Sequence, residues 1–430
     1  MRVHRRSGDW VIRPIYSSKT GSLTIVAITI LHLSDIHLGS GRSHGKLDPA
    51  TGLNTRLIDF IQSLTRCIDT AIDRHVDLVL FGGDAFPNST PPPYVAEAFA
   101  TQFRRLAEAE IPAVLLVGNH DQHGQGQGGA SLYLYRTLAV PGFVVGDRLM
   151  THRLETRNGA IQVVTLPWLT KSTLLTRPET EDLSIEAIDR LLIEKLRTIL
   201  EGEIRQLDRR LPTVLLAHLM ADRATVGAER FLAVSKGFYV PVSLICRPEF
   251  DYVALGHVHK HQNLNPSNDP PIVYPGSIDR VDFSEEQEAK GFVLARVEAG
   301  GCDWEFCELP VRPFRTITVD LTDVEAPIEA LTRAIAKVDI DDAVVRLHYK
   351  IQASRLETID LTRLRTQLSA AHTYSISPEP VSQLARPRMP ELTTQHDPIH
   401  ALETYLAERD DLTSMRTDLI AAARVLAQDY

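Results

Sequence analysis

Five short blocks constrain this chain of 430 residues more than any other feature. They read Asp35-Ile36-His37, Gly83-Asp84, Gly118-Asn119-His120-Asp121, His218 and Gly256-His257-Val258-His259. Each closes an apolar, β-branched run, at 28–34, 78–81, 113–117, 214–217 and 252–255. Runs of this length, bounded by Gly and polar residues, predict buried strands. In layered α/β sheets, ligands gather beyond the carboxyl ends of the strands. The expected fold class is therefore α/β, with distant stretches meeting at one sheet edge.

The blocks offer hard oxygens and imidazoles and no cysteine. Asp35 and His37 are two apart, so an extended chain points both to one side, and His257 and His259 share that spacing. Asp84 stands alone after Gly83, where a small neighbour leaves room for a carboxylate to bridge two ions. With Asn119 and His218, this set suits two adjacent divalent ions, Mn²⁺, Fe²⁺ or Zn²⁺, better than a structural zinc, and octahedral open sites favour Mn²⁺. Two such ions clamp the attacking and leaving oxygens of a phosphoryl displacement and make a water acidic at neutral pH. His120 adjoins a ligand and is expected to act in the transition state, on the phosphorane or the leaving oxygen. Asp121 is placed either to orient His120 or to cap the following turn. Any one block alone is better explained as an ordinary polar strand end. Their joint order, each after a strand, carries the reading.

On these blocks the chain resembles the calcineurin-type metallophosphoesterases, over roughly residues 28–300. The resemblance implies a two-sheet sandwich flanked by helices. It implies Asp35, His37, Asp84 and His259 on one metal and Asp84, Asn119, His218 and His257 on the other, with Asp84 bridging. Phosphatase members continue the second block as Gly-Asp-x-x-Asp-Arg-Gly, whereas this chain reads Gly83-Asp84-Ala85-Phe86-Pro87-Asn88-Ser89. The run Tyr274-Pro275-Gly276-Ser277-Ile278, followed by Phe283, Glu285 and Lys290-Gly291-Phe292, is similar to the SbcD-type DNA-repair nuclease branch. In that branch a His or Asp often stands where this chain has Pro87, so another group must take over any positioning that side chain performs.

Organisation along the chain fits several units, as its length requires. Residues 1–22 read as a basic extension with Arg2, Arg5 and Arg6. They do not read as a cleaved signal, because the apolar run after them leads directly into Asp35. Residues 23–310 alternate strands and helices, with helices expected at 55–74, 95–109 and 184–211 and a Gly- and Gln-rich loop at 122–130. Residues 311–377 read as a βαβαβ unit: strands at 316–319, 343–351 and 373–376, helices at 328–338 and 356–371. By resemblance this is a small capping domain beside the nuclease site. Residues 378–395 read as a linker. Residues 396–430 follow as a helix pair, at 399–408 and 412–426, which resemblance assigns to gripping an SbcC-like coiled-coil ATPase. The alternative is packing on this chain's own surface. Relatives are often homodimers through helices near the first blocks.

A net charge of −9 gives no global sign of nucleic-acid binding, but a local patch suffices for it. Arg42, His44 and Lys46, in the loop after the first block, are candidate DNA phosphate contacts; Lys260, His261 and Arg280 sit similarly beside the fifth. The four cysteines form no Cys-x-x-Cys pair and fit a reducing cytoplasm. No stretch has the length of a membrane span. The expected function is a Mn-dependent DNA exonuclease and endonuclease of repair and recombination, the catalytic subunit of an SbcCD-like complex. Two alternatives are a small-substrate metallophosphodiesterase and a non-catalytic DNA-end scaffold regulating an ATPase.

Overall fold

A computed structural model describes residues 27–122, 130–170, 183–225, 238–266, 269–381, 398–407, 412 and 415–428. The extension 1–22, most of the loop 122–130 and most of the linker 378–395 lie outside the described residues. The chain divides into two compact units, Met1–Arg315 with Asp342–Val344, and Thr316–Asp341 with Val345–Tyr430.

The first unit holds two six-stranded sheets. One contains β1 (Ile28–Leu33), β2 (Leu78–Phe81), β3 (Ala113–Leu116), β4 (Phe143–Gly146), β13 (Gly291–Glu298) and β14 (Gly301–Glu308), in the order β14-β13-β1-β2-β3-β4. The other contains β5 (Met150–Thr156), β6 (Gly159–Leu166), β7 (Thr213–His218), β10 (Tyr252–Gly256), β11 (Gln262–Asn263) and β12 (Ile272–Tyr274), in the order β11-β12-β10-β7-β6-β5. A short ribbon pairs β8 (Met220–Ala221) with β9 (Tyr239–Val240). The central strands run parallel, so β1, β2 and β3 end at one edge, as β7 and β10 do in the second sheet.

Both faces of these strands are covered, which is why their sequences are nearly unbroken apolar runs. The two-residue period sorts the side chains. Ile28 and Ile30 join Leu78, Leu80, Val114, Val214 and Leu216 between the sheets. Leu31 and Leu33 join Val79, Phe81 and Leu115 on the opposite face. That face is covered by α1 (Thr55–Asp73) and α2 (Pro93–Glu108), through Leu57, Phe60, Leu64, Phe99 and Phe103. Asn54 starts α1 by accepting from Arg56 N. Proline occupies the first turn of α2, where its missing N–H costs nothing. The second sheet's outer face is covered by α3 (Ile185–Ile204), through Leu192, Leu196 and Leu200. This helix stops short of the expected residue 211. Gln162 accepts from Asp208 N at 2.9 Å and donates to Asp208 O at 3.0 Å, which draws the chain out of helix and into β7.

The second unit contains the sheet β15-β16-β17, from β15 (Phe314–Asp320), β16 (Val344–Gln352) and β17 (Thr373–Val381), with helices α4 (Pro327–Ile335) and α5 (Leu361–Gln367). Val345, Leu347, Tyr349 and Ile351 alternate into its core. The helix expected over 356–371 is broken. A 3₁₀ segment, Ala353–Thr358, gives way to extended Ile359, and Asp360 restarts the chain as the cap of α5 by accepting from Arg363 N. β17 runs beyond residue 376 to Val381, into the proline-containing stretch expected to be linker. The helix pair is present as α6 (Pro398–Ala407) and α7 (Arg416–Gln428), joined by Arg424 and Glu403 at 2.8 Å.

Candidate metal centre

The backbone assembles this centre before any side chain acts. Asp35 N donates to Gly83 O at 3.0 Å, His37 N to Asp84 O at 3.0 Å and Leu38 N to Ala85 O at 2.9 Å, so the chains leaving β1 and β2 are zipped together. Asp121 ties in the third block. Its carboxylate accepts from Asp84 N and Gly118 N, both at 2.9 Å, and from Ala85 N and Ser131 Oγ, both at 3.1 Å. Asp121 thus orients two loops and not the His120 ring. The second sheet is brought in by Asp35, whose carboxylate accepts from His257 N at 3.0 Å. Gly256 permits the approach of the sheets, since a Cβ there would lie 2.1 Å from Gly82 O.

This packing holds strained backbone. Asp35, His37, Asp84 and His257 have φ of 52°, 45°, 60° and 104°. Non-glycine residues enter this left-handed region rarely, and such strain concentrates where surrounding contacts over-determine it for function. Of the other residues of this kind, His75 and Glu110 follow helix ends and Asp342 lies in the turn before the strand Val344–Gln352.

The expected ligands converge on this edge. Asp35, His37 and His259 form one group whose donor atoms lie within 4.8 Å of one another, and Asp84, His218 and His257 form another. Asn119 Oδ1 joins the second group, 2.9 Å from His218 Nε2 and 2.8 Å from His257 Nδ1. Asp84 Oδ2 stands between the groups, 3.7 Å from His37 Nε2 and 3.5 Å from His218 Nε2. His37 Nε2 and His259 Nε2 face each other at 3.0 Å.

Tautomers follow from the outer partners. A carbonyl or carboxylate oxygen can only accept, so a ring nitrogen bonded to one must carry the proton. His218 Nδ1 therefore donates to Gly82 O at 2.6 Å and His259 Nδ1 to Glu285 Oε1 at 2.6 Å, which turns each Nε2 inward. His257 Nε2 is buried with no hydrogen-bond partner. Burial works against charge on His218, but the Asp84 and Asp35 carboxylates overcome it and lift its pKa to about 9. His37 is pushed down to about 3 by burial and by His259. Burial and the nearby Asp84 raise Asp121 to about 6. The interior favours one positive charge among the carboxylates and disfavours a crowd of imidazolium ions. Such a donor set, with Asp and Asn oxygens and imidazole nitrogens gathered at one edge, fits a pair of divalent cations.

His120 adjoins these groups, with a ring nitrogen within 4.8 Å of the His37 and Asp84 donor atoms. Its backbone N–H donates to Asp84 Oδ1 at 2.8 Å and its ring Nδ1 donates to Pro87 O at 2.9 Å. The backbone carbonyl of Pro87 thus orients the ring. Trp168 also lines the centre, its ring 4.7 Å from that of His257, with its carbonyl held by Gln122 Nε2 at 2.9 Å. Nothing in the sequence blocks points to Trp168. The one available signal is its place directly after the apolar run of β6.

The candidate DNA contacts divide. Arg42, Lys46 and Lys260 are exposed. The His44 ring packs edge-on against Phe283 and Phe314 at 5.2 and 5.5 Å. Arg280 is engaged with the carbonyls of Glu285, Glu288 and Arg312, and His261 stacks on Phe306 at 4.0 Å.

A sequence model described as calcineurin-like phosphoesterase matches residues 28–261. Among solved structures, the protein TT1561 of Thermus thermophilus is similar at 14% identity, with 65% of this chain and 99% of that chain covered and a TM-score of 0.35. A dimetal phosphatase from Danio rerio is similar at 12% identity, 65% and 99% coverage and a TM-score of 0.38. Purple acid phosphatase PPD1 from yellow lupin is similar at 13% identity, 66% and 52% coverage and a TM-score of 0.37. At these scores the three likenesses carry no conclusion about activity. The matched span runs from β1 through the last metal block and covers more than half of the chain, and the chain belongs to the calcineurin-like phosphoesterase family.

Proposed function

We propose that the centre holds two divalent ions, Mn²⁺ foremost, and that the chain hydrolyses backbone phosphodiesters of DNA as the nuclease subunit of an SbcCD-like repair complex. The observation that carries the metal reading is the position of Asp84 Oδ2, within 4 Å of inward ring nitrogens from both groups. Bound ions of this kind polarise the phosphate and make a water acidic enough to attack at neutral pH. Asp35, His37, Asp84 and His259 would hold one ion, and Asp84, Asn119, His218 and His257 the other. His120, with Nδ1–H committed to Pro87 O, would stabilise a developing charge or protonate a leaving oxygen through Nε2 when that nitrogen also carries a proton. Arg42, Lys46 and Lys260 supply exposed cations for the phosphate backbone. The similarity of the run Tyr274 to Phe292 to the SbcD branch favours DNA over a small ester. On the same reading α6 and α7 bind a coiled-coil ATPase.

The test incubates linear duplex DNA and Mn²⁺ with wild type, Asp84→Ala and His120→Ala, alongside a small aryl phosphodiester. Cleavage of duplex by wild type and loss of it in both variants is expected. Turnover of the small diester alone would move the reading to a small-substrate phosphodiesterase. DNA binding with no cleavage of either substrate would favour the scaffold alternative.

A further inference from the structure

We infer that Glu285, held by Lys290, is a positioning residue for His259 and makes the two halves of the metal centre unequal. The inference rests on the metal reading above and adds to it a group outside the ligand set.

Glu285 and Lys290 are 5% and 0% exposed. Glu285 Oε1 accepts from His259 Nδ1 at 2.6 Å. Its Oε2 accepts from Val281 N at 2.9 Å and lies 2.9 Å from Lys290 Nζ. Lys290 Nζ also reaches Glu288 Oε2 at 2.8 Å and the His259 carbonyl at 3.1 Å. That carbonyl accepts a second bond, from Ser277 N at 3.0 Å. At Gly276, with φ of +82°, a Cβ would lie 2.6 Å from the same oxygen. Arg280 donates to the carbonyls of Glu285 and Glu288 and fixes the loop that presents them. The segment 276–290 therefore folds around one histidine, gripping both its ring and its backbone.

The partner of that ring is a buried carboxylate, Glu285, whose other oxygen is held by the Lys290 ammonium. An imidazole that donates to a carboxylate is fixed in tautomer and orientation and is a more basic ligand, typically worth 10–100-fold in metal affinity. The other half has no such support at His218, whose Nδ1 donates to the neutral carbonyl of Gly82. The half built from Asp35, His37 and His259 should therefore bind its ion more tightly than the half built from Asn119, His218 and His257.

Calorimetric titration of metal-free protein with Mn²⁺ tests this on wild type, Glu285→Gln and Lys290→Met, with thermal midpoints measured in parallel. Wild type is expected to bind two ions in separable steps. Glu285→Gln, which keeps the shape and removes the charge, should weaken the tighter step about 10–100-fold and leave the weaker step in place. Lys290→Met should weaken the same step by a smaller factor. Equal shifts in both steps, or unchanged steps with a lowered thermal midpoint, would reduce Glu285 to a structural residue and overturn the inference. Wild type that takes up no pair of ions overturns the metal reading and this inference with it. Two ions bound identically by wild type and Glu285→Gln overturns this inference alone.

Discussion

At the scale of single residues, Asp84 and His120 separate by role. Asp84 touches both ligand groups, so Asp84→Ala should abolish the two-ion stoichiometry along with activity. His120→Ala should keep the ions bound and lower turnover by about 10²–10⁴, the usual contribution of a proton-transferring side chain. Metal content measured beside the rate distinguishes them. A residue away from the centre sets a pH dependence of stability. His32 is buried between the sheets with Nδ1 3.1 Å from the Tyr252 hydroxyl, and burial holds its pKa near 3, against 6.5 for an ordinary histidine. The unfolded chain therefore takes a proton there that the folded chain refuses. The contribution is fully present above pH 6.5 and is lost as the pH falls toward 3. By pH 4 the difference is on the order of 3 kcal/mol. Denaturation curves for wild type and His32→Asn should show a shallower decline in the variant between pH 6.5 and 4, and parallel declines would contradict this. Residues were legible where chemistry is local to a block: Asp35, His37, Asp84, Asn119, His218, His257 and His259 all meet. Pro87 was not, since its contribution is a carbonyl that every residue carries, and Trp168 was not, since stacking leaves no spacing signature.

At the scale of elements, the loops after β2 and β3 depend on Asp121. Asp121→Ala would strand three buried N–H groups, those of Asp84, Ala85 and Gly118, at about 1–3 kcal/mol each. Thermal unfolding of the metal-free variant should show a loss of several kcal/mol, and a change under about 1 kcal/mol would contradict the role assigned to it. Helices α1 and α2 and the strand ends were readable because long apolar periods and caps are short-range signals. The early end of α3 was not, because Gln162 captures Asp208 from 46 positions away. The break at Asp360 was hidden for another reason. Its neighbours keep a helical apolar spacing, and only the cap geometry shows that the helix starts anew.

At the scale of the whole molecule, the first unit carries every candidate ligand, while α6 and α7 lie in the second. A chain ending at Val381 should therefore bind the same number of ions as the full chain. It should lose association with a coiled-coil ATPase, if α6 and α7 are the grip. Co-purification with such a partner and metal analysis of both chains check this, and undiminished association would remove the helix pair from that role. No helix among the described residues is long and apolar enough to cross a membrane.

The seam at Gly82 and Gly256 has a mechanical consequence. Asp35 and Asp84 leave one sheet and His218, His257 and His259 leave the other, so a cation drawing on both acts as a rivet through the sandwich. Loading should slow amide hydrogen exchange along the ends of β1, β2, β7 and β10 and leave β5 and β14, at the far edges of their sheets, as they were. The stabilisation would grow with the logarithm of metal concentration. The catalytic cargo of this fold would then also be its fastener.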